Sequence, residues 1–129
     1  MTRWLIDMPV FVDASRARDR RADPATAFLD RVAREGELWS VTPVRTEIRW
    51  RMRPEEARIV DGLFARVFWL DVTTDIADRA GAFGRRFGGS HGLSPIDAIV
   101  AAAAEFLSAE LATLNVHHFP MFPGLQRPY

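Results

Sequence analysis

Apolar residues fall along this chain in short blocks that switch between two periods. "RWLID" (Arg3–Asp7), "ELWSV" (Glu37–Val41), "VFWLDV" (Val67–Val72) and "LATL" (Leu111–Leu114) are compact runs rich in branched and aromatic side chains, a pattern that predicts buried strands. Between them the spacing is helical. The pattern predicts helices from Val10 to about Arg18 and from Pro24 to about Arg34, the second ended by Gly36. Thr42–Pro43 reads as a cap followed by proline and opens a helix to about Met52. Another starts at Pro54 and carries Val60, Leu63, Phe64 and Val67 on one stripe. Thr73 or Thr74 caps a helix to about Phe87, broken at Gly88–Gly89, and a last helix runs from Pro95 to about Ser108. The tail from Phe119 is expected to add one more short strand. Strands alternating with helices predict an α/β fold, a parallel sheet with helices on both faces, in a single domain over residues 1–129.

Such a sheet gathers its strand C-termini and the N-termini of the following helices at one edge. Asp7 closes the first strand. Glu47 lies near the start of the helix after the second, Asp97 is in the first turn of the last helix, and Asn115 closes the fourth strand. Asp71 and Asp75 approach the same edge with a weaker claim, and Asp13 lies in the first helix. Each of the four has a purely structural reading as well. Asp7 precedes Pro9 and suits a turn, Glu47 is one helical turn from Arg51, Asn115 suits a turn, and Asp97 follows Ser94 at capping-box spacing. Three carboxylates in one apolar pocket repel each other unless a cation is present. Mg²⁺, a hard ion that takes one or two carboxylates and keeps several waters, removes that repulsion, and such pockets serve phosphoryl transfer or phosphodiester hydrolysis.

Composition narrows the chemistry. The chain has no cysteine, which excludes a thiolate zinc site and a cysteine nucleophile. All 17 basic residues are arginine, so a P-loop and a lysine Schiff base are also excluded. With 17 acidic residues the net charge is zero, and contact with nucleic acid must come from a local patch. Arg45, Arg49 and Arg53 recur every four residues and are candidates to follow an RNA backbone. His91, His117 and His118 lack the i, i+4 spacing of a zinc-binding pair. No apolar run reaches membrane-spanning length, so a cytoplasmic protein is expected.

The segments "WLIDMPVFVDASRAR", "TPVRTEIRW", "HGLSPIDAIVAAAAE" and "LATLNVHHFPMFPGL" together resemble the successive motifs of PIN-domain ribonucleases, and more narrowly of VapC toxins of type II toxin–antitoxin systems. The resemblance implies a three-layer α/β/α sandwich with a central parallel sheet in the order 3-2-1-4-5. It also implies a Mg²⁺- or Mn²⁺-dependent endoribonuclease leaving 5′-phosphate and 3′-hydroxyl ends on an RNA such as tRNA or rRNA. Asp7, Glu47 and Asp97 match the three core acids, and Thr113 and Asn115 match the T-x-N motif. By that match Asp7 and Asp97 bind metal, Glu47 holds a metal water or acts as general base, and Asn115 orients phosphate or water. A homodimer and a VapB antitoxin follow, with Trp50, Phe64, Phe68 and Trp69 supplying apolar surface for the antitoxin.

Two departures mark this chain. Met8–Pro9 replaces the hydroxyl residue usual after the first acid, and His118 stands where a fourth acid is frequent. The imidazole is expected to support the site from behind the ligands, and it suits Mn²⁺ better than Mg²⁺. The rival expectation is a PIN-like module that has lost efficient metal binding and only docks partners.

Overall fold

All four predicted apolar blocks pair into one sheet, in the computed structural model that describes residues 1–17 and 23–129. The strands are β1 (Thr2–Ile6), β2 (Gly36–Val41), β3 (Phe68–Leu70) and β4 (Glu110–Ala112), in the order β3-β2-β1-β4 with every pairing parallel. Leu5 and Ile6, fully buried in β1, sit beside Trp39 on one side and Leu111 and Ala112 on the other. Continuous apolar runs are what a strand covered on both faces requires.

Six α-helices cover the sheet: α1 (Met8–Ser15), α2 (Pro24–Glu35), α3 (Thr42–Arg51), α4 (Ala57–Phe64), α5 (Thr74–His91) and α6 (Pro95–Leu107). Helix α6 lies on β1, β2 and β4, with α5 packed on it, whereas α1 packs with α2, α3 and α4, and α2 rests on β2. The result is an α/β/α sandwich. Ala101 to Ala104 are buried in α6, and these small side chains let the helix lie close to the sheet. Gly36, at the α2–β2 junction, admits no side chain because a Cβ there would meet the carbonyl oxygen of Thr2.

Several predicted boundaries move, each for a local reason. Helix α1 begins at Met8 because Asp7 caps it and Pro9 is tolerated in the first turn; it ends at Ser15, and Arg18 lies outside the described residues. Thr42 is not a cap: it is the first helical residue of α3, and Val41 occupies the cap position with no side-chain bond. Gly88–Gly89 does not break α5, which continues to His91 and stops at Gly92 in the left-handed conformation (φ 67°). Mid-helix glycines cost about 1 kcal/mol each but remove no hydrogen bond. No fifth strand follows Phe119 among the described residues. A single 3-10 turn (Val116–His118) leads instead into successive turns, in a segment whose Pro120, Pro123 and Pro128 lack the N–H a ladder needs.

Candidate active site

Asp7 is placed by the sheet itself. Its N–H donates to the Ala112 carbonyl at 2.9 Å, one rung beyond the last β1–β4 pair, so the carboxylate emerges at the C-terminal edge of the two central strands. The side chain is 3% exposed. Oδ1 accepts from the Met8 N–H at 2.9 Å and Oδ2 from the Thr113 hydroxyl at 2.8 Å. These two donors hold the carboxylate in place although Met8–Pro9 supplies no side-chain hydroxyl. Each oxygen still has a lone pair to spare. Burial pushes the Asp7 carboxyl up to about 6; the two hydrogen bonds pull it down, and the nearby Asp97 and Glu47 carboxylates push it up.

That coupling identifies the neighbours. Asp97 lies in the first turn of α6 within a complete capping box: Ser94 Oγ accepts from the Asp97 N–H at 3.1 Å, and Asp97 Oδ2 accepts from the Ser94 N–H at 3.2 Å. The same Oδ2 lies 3.3 Å from His118 Nδ1. This approach is not aligned as a hydrogen bond, and Nδ1 is the one buried side-chain nitrogen or oxygen among the described residues that has no hydrogen-bond partner. Capping and site geometry therefore coexist at Asp97. Glu47, on α3, is half-buried and has no hydrogen bond or ion pair among the described residues; in particular it does not pair with Arg51. Asn115 follows β4, its N–H donating to Thr113 Oγ1 at 3.1 Å and its carbonyl accepting from His118 N–H at 2.9 Å, so the Thr113–Asn115 segment carries His118 to the same edge.

The donor chemistry of this edge, hard carboxylate oxygens around a buried acid with a raised pKa plus an unsatisfied imidazole nitrogen, fits a small divalent cation. As the side chains stand, no three His, Asp or Glu groups among the described residues are close enough together to enclose one ion.

Beside Glu47 a groove of about 680 Å³ runs between α3 and the start of α6, lined by Thr42, Pro43, Thr46, Glu47, Trp50, Arg51 and Ile96. Trp50 is 82% exposed on its wall. A second depression, about 530 Å³, lies at the β4 edge beneath residues 122–128, on the far side from β3 and away from the three acids.

The arginine stripe is only partly present. Arg53 lies beyond the end of α3 and pairs with Glu56 at 3.8 Å, so the common helix face reduces to Arg45 and Arg49. Arg49 is held by Asp61 at 2.6 Å and lies over the Phe64 ring. Arg45 lies over Phe64 and Trp69 with no carboxylate partner among the described residues. Phe64 and Trp69 are themselves packed with Phe11 in an aromatic cluster, so of the four residues expected at a partner surface only Trp50 and Phe68 are exposed. Asp13 accepts from the Tyr129 hydroxyl at 2.8 Å, and Asp71 and Asp75 are exposed beyond β3. Sequence reading missed Glu56, buried and hydrogen-bonded to Arg16 and to the Arg53 N–H. An acid just after a proline looks like an ordinary helix start.

Known proteins resemble this chain in sequence and in fold. Residues 5–119 match the PIN domain family. Ribonuclease VapC19 of Mycobacterium tuberculosis is 38% identical over 128 residues, covering 97% of this chain and 98% of the relative. Ribonuclease VapC10 of the same organism is 35% identical over 126 residues, covering 97% and 92%. In fold, the chain superposes on a chain of the Rickettsia felis VapBC2 complex, bound there to a DNA fragment from its promoter, with a TM-score of 0.75 over 96% of each chain at 18% identity. The chain belongs to the PIN-domain family and, within it, to the VapC group.

Proposed function

We propose that this chain is a divalent-metal-dependent endoribonuclease, the toxin of a VapBC-type toxin–antitoxin pair. The observation that carries the reading is the buried Asp7 carboxylate at the end of β1, whose affinity for its proton is raised chiefly by burial and further by the Asp97 and Glu47 carboxylates, which arrive from two other elements. The ribonuclease names of VapC19 and VapC10 support the same activity. Asp7 and Asp97 would hold the ion, Mg²⁺ or Mn²⁺, and Glu47, unpaired and on a flexible stem, would complete the set or accept a proton from attacking water. The ion, when bound, supplies Lewis-acid polarisation of the scissile phosphate and a more acidic water. Thr113 orients the Asp7 carboxylate. The Asn115 side-chain amide has no partner among the described residues and is available to phosphate or water.

Backbone contact to RNA falls to Arg45 and to Arg51. Arg51 shares the Glu47 groove and has no partner among the described residues, whereas Asp61 and Glu56 already occupy Arg49 and Arg53. A VapB-type antitoxin is the partner, in line with the toxin–antitoxin complexes this chain resembles in fold, and a homodimer is the expected assembly. No helix among the described residues is long and apolar enough to cross a membrane, and the reading places the protein in the cytoplasm, where RNA is accessible.

Incubating total RNA with purified protein, with Mg²⁺, with Mn²⁺ or with chelator, and mapping the ends tests the reading. Cuts with 5′-phosphate ends that need the ion and vanish in Asp97→Asn support it. The asparagine oxygen can still accept the Ser94 N–H, so that variant should fold. Full cleavage by a folded Asp97→Asn would return Asp97 to helix capping alone. No cleavage by the wild type with either ion would favour a docking module.

A further inference from the structure

We propose that His118 is a direct metal donor, its Nδ1 pairing with Asp97 Oδ2 to form a nitrogen–oxygen set that takes Mn²⁺ in preference to Mg²⁺. The inference deepens the reading above and rests on its claim that these acids hold a divalent ion. Sequence pattern alone places this imidazole behind the ligands. The structure puts it beside one. Nδ1 is buried, it has no hydrogen-bond partner, and it lies 3.3 Å from a carboxylate oxygen without the alignment of a hydrogen bond. A buried polar atom without a partner costs about 1–3 kcal/mol, so a native fold that keeps one invites the question of what else satisfies it.

The spacing answers it. Two donors, each about 2.1 Å from one small ion, stand about 3.0 Å apart at right angles and about 3.4 Å apart at the tetrahedral angle. The observed 3.3 Å falls within that interval. With the ring proton on Nε2, Nδ1 carries a free lone pair 3.3 Å from Oδ2. The ring is also held in place from several sides. Its backbone N–H is tied to the Asn115 carbonyl, the His117 ring packs edge-on at 4.3 Å, and the left-handed turn at Gly92 passes beside Nε2. A preset imidazole nitrogen adds little for hard, strongly hydrated Mg²⁺ and more for a first-row transition ion.

The test loads purified wild type, His118→Asp and His117→Gln with Mn²⁺ alone and records pulsed EPR for nitrogen coupling to the ion. Titration calorimetry gives the affinities of all three for Mn²⁺ and Mg²⁺, and circular dichroism checks each fold. Wild type and His117→Gln should show histidine nitrogen coupling and His118→Asp should not. The preference for Mn²⁺ over Mg²⁺ should fall about tenfold in His118→Asp. Bound Mn²⁺ without nitrogen coupling in the wild type, coupling that survives in His118→Asp, or no Mn²⁺ binding at all overturns the inference. RNA cleavage by the same samples separates it from the functional reading. Cleavage without nitrogen coupling leaves the nuclease standing and removes His118 from the ion; coupling without cleavage under either metal does the reverse.

Discussion

Thr113 Oγ1 donates to Asp7 Oδ2 at 2.8 Å, joining the ends of two adjacent strands whose residues are 106 positions apart in the chain. The same hydroxyl accepts the Asn115 N–H at 3.1 Å, and both Thr113 and Asp7 are buried. One oxygen thus orients the central carboxylate and fixes the turn that carries Asn115 and His118. Thr113→Val keeps the shape and removes both bonds, leaving a buried carboxylate short of a donor and an N–H without its acceptor. Urea unfolding should show a loss of about 2–3 kcal/mol, with a fall in RNA cleavage, and Thr113→Ser should recover most of both. Unchanged cleavage in a folded Thr113→Val would show that Asp7 needs no orienting.

Asp7 gives stability a pH dependence of unusual sign for a carboxylate. Its folded pKa, about 6, lies above the ordinary 3.8, so the folded state holds the proton more tightly than the unfolded chain. Below the ordinary value both states are protonated and no penalty exists. As pH rises between the two values the unfolded chain releases its proton first, and above the folded value the full penalty applies, about 3 kcal/mol without metal. Asp7→Asn should therefore be more stable than wild type at about pH 7.5, by up to that amount, with the difference vanishing below about pH 3. Mn²⁺ should stabilise the wild type at the higher pH and leave Asp7→Asn nearly unmoved. Denaturant titrations at both pH values, with and without the ion, check each part.

The parts of this molecule that could be read in advance are those where one local pattern decides. Leu5–Ile6, Trp39 and Leu111–Ala112 lie in continuous apolar runs that only a sheet covered on both faces explains, and the acids follow from where those runs stop. What escaped depends on partners distant in sequence or on backbone chemistry. Asp61 captures Arg49 from another helix, and the clustering of Phe64 and Trp69 with Phe11 hides two aromatics that sequence reading left for a partner. The Met8 N–H donates to the Asp7 carboxylate, a backbone contact no side-chain pattern records. Gly92, not Gly88, ends α5, because the backbone stays helical through Gly88 and Gly89 and turns left-handed at residue 92.

Glu56 contributes in the opposite direction from Asp7. Burial raises its carboxyl, but the Arg53 N–H at 3.0 Å and Arg16 Nε at 3.2 Å outweigh it and hold the group below its ordinary range. Ser15 Oγ, which donates to the Val12 carbonyl at 3.0 Å, lies 3.4 Å from Glu56 Oε2, and Arg16 and Ser15 together bring the one-turn helix at Pro54–Glu56 to the end of α1. A depressed folded pKa means that its stabilisation is complete above the unfolded value of 4.5 and is lost as pH falls through the folded one. Glu56→Gln should cost about 1–2 kcal/mol at neutral pH and progressively less toward about pH 3. Equal losses at both pH values would assign the effect to shape and not to charge.

Trp50 separates partner binding from folding. Its ring is 82% exposed on α3, in the groove that also holds Glu47 and Ile96, so the folded monomer gains little from it. Phe64, 3% exposed and packed against Phe11 and Trp69, is its counterpart in the core. Trp50→Ala should leave unfolding free energy within about 0.5 kcal/mol of wild type. A large exposed aromatic in a groove is the kind of side chain that anchors an interface, and its truncation should weaken antitoxin binding by about 2 kcal/mol, roughly thirtyfold. Phe64→Ala should instead cost about 3–5 kcal/mol of stability. Calorimetric titration of the cognate antitoxin into each folded variant makes the comparison, with Mn²⁺ affinity measured alongside. Loss of antitoxin binding with Mn²⁺ affinity intact places the partner on the α3 groove. Unchanged antitoxin affinity in Trp50→Ala would move that interface to another face, with Phe68 at the β3 edge the next exposed aromatic to truncate.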